Sequence, residues 1–297
     1  MASTHIIIVN YNAGAWLLRS ISSALAFSNG LITIVDNAST DDSVSIARDK
    51  FNHQDRIFWV ENNDNRGFAA ANNQVLKNLK EDFAILMNPD CEINSDTIPL
   101  IINTFENCDQ IGLASCKILN LDGTMQDTSR RHFPTPWSAL VRMLKLHKLF
   151  PDNPKFADFD YGDVEFDRNS IQIVDAISGA FMVVRKTALN EIGLLDEVYF
   201  MHCEDLDWCK RFSQSNWKVA FNGEASVIHA KGISSASRPI GVLWTLHKGM
   251  NRFYDKFYQD EYSIFLRWFV KTGIWFSFII RSLNAIIANM FSIKSVK

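Results

Sequence analysis

Through the first 120 residues, short β-branched runs alternate with amphipathic stretches of helical length. The runs at 5–9, 31–35, 56–60, 83–87 and 111–118 predict strands. Strands joined by helix-length connections pair through crossovers. That gives an α/β fold, with a Rossmann-like, mostly parallel central sheet flanked by helices. Ligands of such sheets lie beyond the carboxyl ends of the strands. The segments at those ends are Asn10-Tyr11-Asn12, Asp36-Asn37-Ala38-Ser39-Thr40, 61–67 and Asn88-Pro89-Asp90, all turn-forming and rich in Asn and Asp.

After Leu121 a loop carrying Arg130-Arg131 leads to an apolar segment at 137–150 and a polar, aromatic-dotted insertion at 151–170. Strand patterns return at 171–177 and 181–184, then a helix at 205–213 and strands near Val219 and Val227. The core therefore continues to about residue 237, in two halves at about 1–120 and 121–237. Residues 238–297 form a C-terminal helical extension. Its aromatic-rich segment at 262–291 is interrupted by Arg267, Lys271 and Arg281, and its longest uncharged apolar stretch, 272–280, is nine residues. A spanning helix needs ~20. Helices lying in a membrane interface fit better; packing on the body of the protein or on a sister subunit, as in a homodimer, is the alternative.

The net charge of −3 conceals an asymmetry, because nine Lys/Arg against three Asp/Glu lie from Arg238 onward and 21 against 30 before it. An acidic body excludes a nucleic-acid-binding protein, which needs a basic footprint, and suits an enzyme that holds a cation. Five cysteines without a CxxC pair suggest neither a disulfide framework nor a zinc site. The start, Met-Ala-Ser-Thr-His, has no basic region or long apolar run of a leader, so a cytoplasmic location is expected.

Five constellations carry chemistry. Asp36 directly after a strand can accept the imide N–H of uracil or thymine, although Asp36 and Asn37 could equally just turn the chain. In Asn65-Arg66-Gly67-Phe68 a glycine at a loop-to-helix junction lets a ligand approach the backbone, and no GxGxxG is present. Asn88-Pro89-Asp90-Cys91-Glu92 places a hard oxygen ligand for Mg²⁺ or Mn²⁺ beside the crevice, or is a solvated acidic turn. Glu204, Asp205 and Asp207 crowd a helix start, where mutual repulsion raises a carboxylate pKa toward the range of a general base. His229 ends an apolar strand and is a possible metal ligand, though lone histidines are more often structural.

In this order the motifs resemble the inverting family 2 glycosyltransferases of GT-A fold, especially the rhamnosyltransferase-like branch, over residues 5–232. Ser178-Gly179-Ala180-Phe181-Met182 belongs to the same pattern. The resemblance implies a GT-A catalytic domain at 1–237 in which Asp36 reads the nucleobase and Asn10, Asn37, Asn65, Gly67 and Asn88 line the nucleotide pocket. It further implies that Asp90 and His229 hold the metal and that Asp205, with Glu204 beside it, is the catalytic base. Asn88 stands where other members carry the first acid of an Asp-x-Asp pair.

The implied reaction transfers L-rhamnose from a nucleoside-diphosphate sugar, dTDP-L-rhamnose, to a hydroxyl of a lipid-linked or polysaccharide glycan such as O-antigen. The enzyme would be peripheral at the inner face of the cell membrane. Another UDP- or dTDP-sugar remains open. A nucleotidyltransferase would want a basic, glycine-rich phosphate loop, which 10–14 lacks. A catalytically silent scaffold subunit is the rival from another class. The acceptor is expected to meet 137–170.

Overall fold

A computed structural model of the chain describes residues 2–150, 153–156, 170–230 and 239–294. Its first half runs β1 (Thr4–Asn10), α1 (Ala15–Phe27), β2 (Leu31–Asp36), α2 (Ser43–Phe51), β3 (Ile57–Glu61), α3 (Gly67–Leu76), β4 (Phe83–Met87), β5 (Cys91–Ile93), α4 (Thr97–Glu106) and β6 (Ile111–Leu119). Then come β7 (Arg130–Arg131), α5 (Pro136–Met143), α6 (Leu146–Leu149), β8 (Ile171–Ile173), β9 (Ala176–Ile177), β10 (Phe181–Arg185), α7 (Lys186–Ile192), α8 (Glu204–Ser213) and β11 (Lys218–His229). Two long helices close the chain, α9 (Pro239–Tyr258) and α10 (Ile264–Lys294).

The nine-stranded sheet has the order β3-β2-β1-β4-β10-β6-β11-β5, with β8 added on β11. β1, β2, β3 and β4 are parallel, and β10 is antiparallel to both β4 and β6. β6 therefore runs with β4, and β11 runs parallel to β6. Six strands share one direction; β5, β8 and β10 oppose it. The expected mostly parallel sheet is present, and the opposed strands bring the second half of the chain beside the crevice.

Burial on both faces explains why the strands read as continuous apolar runs. In β1, Ile6 and Ile8 enter one core and Ile7 and Val9 the other, as a two-residue period requires. Ile6, Ile7 and Ile8 are fully buried, each contributing about 2–3 kcal/mol of apolar transfer free energy. The run at 171–177 divides in two, β8 on the main sheet and β9 paired with β7. The two strands expected near Val219 and Val227 are one, with a register shift between Asn222 and Ser226.

α9 is anchored to the body: Phe253, Tyr254 and Tyr258 lie in the same core as Trp208 and Phe212 of α8. Lys256 reaches the fully buried Asp207 at 2.6 Å, and Asp196 accepts from both Lys256 (2.9 Å) and Arg252 (2.7 Å). α10 packs on α9 through Trp244–Trp275 and a Lys271–Asp255 ion pair of 2.7 Å. Phe265, Trp268 and Phe269 of α10 are exposed. By length and composition alone, 264–287 is sufficient to cross a membrane despite its interrupting cations.

Candidate active site

The residues expected to bind a nucleotide gather where β1, β2 and β4 end. The Asn10 side-chain N–H donates to Asp36 Oδ1 (3.1 Å), Ser39 Oγ (2.9 Å) and Ser43 Oγ (3.1 Å). Asp36 also accepts from the Ser39 hydroxyl (2.6 Å) and backbone N–H (3.1 Å). Its carboxylate is thus buried and fixed, with acceptor capacity left over, as recognition of an imide requires. Asn10 acts by holding Asp36. Asn37 is used structurally: it donates to the Gly67 carbonyl (3.1 Å) and accepts from Asn62 (2.9 Å), tying the end of β2 to the start of α3.

Asn65 accepts from the Gly67 N–H at 3.0 Å, closing a turn before α3. Gly67 has φ +82°, and a Cβ there would stand 2.2 Å from the Phe200 carbonyl oxygen. Only glycine lets the two backbones meet, and Phe68 N–H donates to that same carbonyl at 2.8 Å. The start of α3 and the segment leading into α8 are therefore in direct contact.

At the end of β4, Asn88 and Asp90 flank Pro89. The β5–β11 pairing sets His229 opposite Cys91 and brings its Nε2 to 3.2 Å from Asp90 Oδ1. Gln126 donates to the His229 carbonyl at 3.0 Å, which leaves its amide oxygen to accept from His229 Nδ1 at 3.2 Å. Gln126 thereby sets the orientation of the ring, with Nδ1 on its amide oxygen and Nε2 toward the Asp90 carboxylate. Nε2 also lies 3.5 Å from the Asn88 side-chain amide, so an imidazole and a carboxylate converge on one point beside the crevice, and the Gln126 contact is the outer support a ligating histidine normally has. Asp90 and His229 fit Mg²⁺ or Mn²⁺. Cys91 is near them, but its thiol donates to the Ala180 carbonyl (3.3 Å) and burial pushes its pKa well up, so it remains protonated.

The acidic helix divides its carboxylates into separate roles. Asp207 is fully buried and neutralised by Arg211 (2.8 Å) and Lys256. Asp205 Oδ2 accepts from Arg131 (2.5 Å) and the Gly179 N–H (3.1 Å), and Oδ1 from the Leu206 N–H (2.8 Å). Burial favours the neutral acid, but the Arg131 charge and these hydrogen bonds outweigh it and lower the Asp205 pKa. Glu204 Oε2 is buried without a hydrogen-bond partner among the described residues. Burial and the neighbouring Asp205 charge push Glu204 up to about 8. The repulsion expected from the sequence is real, but it raises Glu204, while Asp205 is the ionised member.

Two residues that sequence reasoning left without a role complete the site. Arg131 stood out only as half of an Arg-Arg pair; the β7–β9 pairing aims it at Asp205. Gln126 carried no signal. The 178–180 turn links the two acidic centres, since Gly179 N–H donates to Asp205 and the Ala180 carbonyl accepts from Asn88 N–H at 2.9 Å. The expected acceptor region is described only in part: α5 and α6 are helical, and 157–169 lies outside the described residues.

The sequence model of Glycosyl transferase family 2 matches residues 5–192. An N-acetylglucosaminyl-diphospho-decaprenol L-rhamnosyltransferase of Mycobacterium tuberculosis is 24% identical, over 91% of this chain and 89% of that protein. The rhamnosyltransferase WbbL of Escherichia coli K12 is 26% identical over 55% of this chain and 60% of its own. Among solved structures, Staphylococcus aureus TarS 1–349 in complex with UDP-GlcNAc superposes with a TM-score of 0.56 at 13% identity, covering 95% of this chain and 73% of that one. GalNAc-T7 with UDP, GalNAc and Mn²⁺ gives 0.58 at 14% identity, covering 77% and 44%. These likenesses show the GT-A fold.

Proposed function

The chain belongs to glycosyl transferase family 2 and is a glycosyltransferase; from that premise we propose that it moves L-rhamnose from dTDP-L-rhamnose, with inversion, onto a hydroxyl of a lipid-linked glycan at the cytoplasmic face of a membrane. The observation that carries the reading is the divided acid pair, with Asp205 ionised and oriented by three donors while Glu204 keeps a proton. Asp205 takes the proton of the acceptor hydroxyl as that oxygen bonds to the anomeric carbon. The bond from that carbon to the diphosphate breaks on the opposite face, its electron pair leaving with the diphosphate.

Asp36 meets the imide edge of the base, and Asn65 and Gly67 shape the pocket around the nucleotide. Asp90 and His229 would hold the divalent cation, which when bound neutralises charge on the diphosphate. Rhamnose is supported by the names of the mycobacterial and E. coli relatives. The exposed aromatic and basic surface of α10 supports peripheral attachment to the membrane.

Uracil and thymine share the edge that Asp36 would read, so the base contact alone does not choose between UDP- and dTDP-sugars. Donor hydrolysis by the purified protein, with Mn²⁺ and a panel of both, tests the proposal. Fastest turnover is expected with dTDP-L-rhamnose. Preference for a UDP-sugar would overturn the donor assignment, and no turnover of any donor would favour the scaffold reading.

A further inference from the structure

A groove of about 760 Å³ lies between the 198–200 segment and α9, with Tyr199 and Phe200 on one wall and Trp244, Lys248 and Arg252 on the other. A second, of about 570 Å³, runs between α9 and α10 and is lined by Trp268, Trp275, Phe276 and Ile279. Asn251 borders both, which sets the two grooves side by side along α9 as two stretches of a candidate path. Its far end opens among Trp268, Phe276 and Ile279, side chains more than half exposed on α10. Its near end lies beside the turn that leads into the acid pair: Gly249 lines the groove, and a Cβ there would lie 2.8 Å from the His202 carbonyl oxygen and 3.3 Å from Cys203 Cβ, the residues immediately before Glu204. Phe200 also separates this groove from Gly67 and the nucleotide pocket.

Charge along the path is graded. The near groove is lined by Lys248, Arg252 and Lys256 and by one acid, Asp255, which pairs with Lys271; Asp196 and Asp207 pair with Arg252 and Lys256 from outside it. Lys248 is exposed and has no ion pair among the described residues. At the far end Lys271 is paired with Asp255, leaving a mainly aromatic and aliphatic channel. A cationic end beside the reacting acids and an apolar end on the exposed helix match an amphiphile with an anionic head and a long hydrocarbon tail.

We propose that this path is the binding site for the lipid-diphosphate portion of the acceptor, with the diphosphate at Lys248 and the hydrocarbon chain running between α9 and α10 toward the Trp268–Phe276 surface. The inference rests on the glycosyltransferase reading, because it takes the acceptor sugar to be presented to Asp205 from this side. Lys248 holds the acceptor and takes no part in the bond changes. The anionic head confers register: it stops the lipid at the point where the sugar beyond it reaches the acid pair.

The test uses the full chain, farnesyl diphosphate as probe and saturating dTDP to block the nucleotide pocket, with binding followed by calorimetry. Wild-type protein is expected to bind farnesyl diphosphate more tightly than either inorganic pyrophosphate or farnesol. Lys248→Glu should weaken farnesyl diphosphate about tenfold, and Lys248→Arg should restore most of it. dTDP binding and donor hydrolysis should be unchanged in both variants, which separates a failure of the groove from a failure of the enzymatic reading. Flotation with phosphatidylglycerol vesicles should also be unchanged by Lys248→Glu. Equal farnesyl diphosphate binding by wild type and Lys248→Glu would overturn the proposal. So would a parallel loss of vesicle flotation, which would mark Lys248 as a general contact to anionic membrane.

Discussion

Gln126 holds His229 at two points, donating to its main-chain carbonyl at 3.0 Å and accepting from its Nδ1 at 3.2 Å. One amide thereby fixes both the position of the strand end and the orientation of the ring, with Nε2 toward Asp90. Gln126→Leu removes both contacts without introducing charge. Mn²⁺ affinity should fall roughly 10–100-fold, the usual cost of losing such a support. Titration of Mn²⁺ in the presence of dTDP measures it, and an unchanged affinity would remove Gln126 from the metal site.

Asp205→Asn keeps the shape of the side chain and deletes its basicity. Transfer should drop about 10²–10⁴-fold, while dTDP affinity stays near the wild-type value because the nucleotide pocket is untouched. Single-turnover transfer and dTDP calorimetry together provide the check. A variant that still transfers at wild-type rate would assign the proton to another group.

Glu204 yields a prediction with a definite sign. Its pKa is raised from 4.5 to about 8 in the folded protein, so between those values the native state binds the extra proton. Stability from this group is fully present below pH 4.5 and is lost as pH rises toward 8. The lowered pKa of Asp205 works oppositely, its contribution being lost as the solution becomes acid. Glu204→Gln imitates the protonated side chain. Thermal melts from pH 5 to pH 8 should show wild type losing several degrees more than the variant; parallel curves would mean that Glu204 titrates normally.

Gly67→Ala sets a methyl group 2.2 Å from the Phe200 carbonyl, at φ +82°. The contact cannot be kept, so α3 must move from the segment leading into α8. A loss of about 2–4 kcal/mol is expected in urea unfolding, with dTDP binding weakened in step. Wild-type stability would show that the two segments separate without cost.

On α10, Phe265, Trp268 and Phe269 are 84%, 67% and 60% exposed. Replacing all three with Ser should abolish flotation with anionic vesicles and leave donor hydrolysis intact, because none of them belongs to the body's core. Retained flotation would place membrane attachment elsewhere.

The parts of the fold visible in the sequence were those dictated by local pattern. Ile6 to Ile8 announce a strand buried on both faces, and Asp36, Asp90 and Glu204-Asp205 stand at element ends where turn chemistry exposes them. β5 was hidden because Cys91, Glu92 and Ile93 form a strand only through pairing with β11, more than 130 residues away. Separations of 103 and 74 residues from their partners concealed Gln126 and Arg131, ordinary polar residues until β7 pairs with β9 and β6 lies along β11. Sequence crowding gave the repulsion between Glu204 and Asp205 but not its direction, which depends on Arg131 and Gly179 reaching one carboxylate and not the other.

His202 and Cys203 both adopt left-handed backbone, at φ +73° and +70°, at a cost of roughly 1–3 kcal/mol each for residues bearing a Cβ. They are held there from outside by α9, whose Gly249 fits under the His202 carbonyl. The last sixty residues are therefore not an interchangeable address label. An engineer exchanging tails between relatives should cut after Tyr258, before α10 begins; a cut ahead of Pro239 would remove the wedge beneath the turn that aims Glu204 and Asp205, and graft a new destination onto a distorted acidic helix.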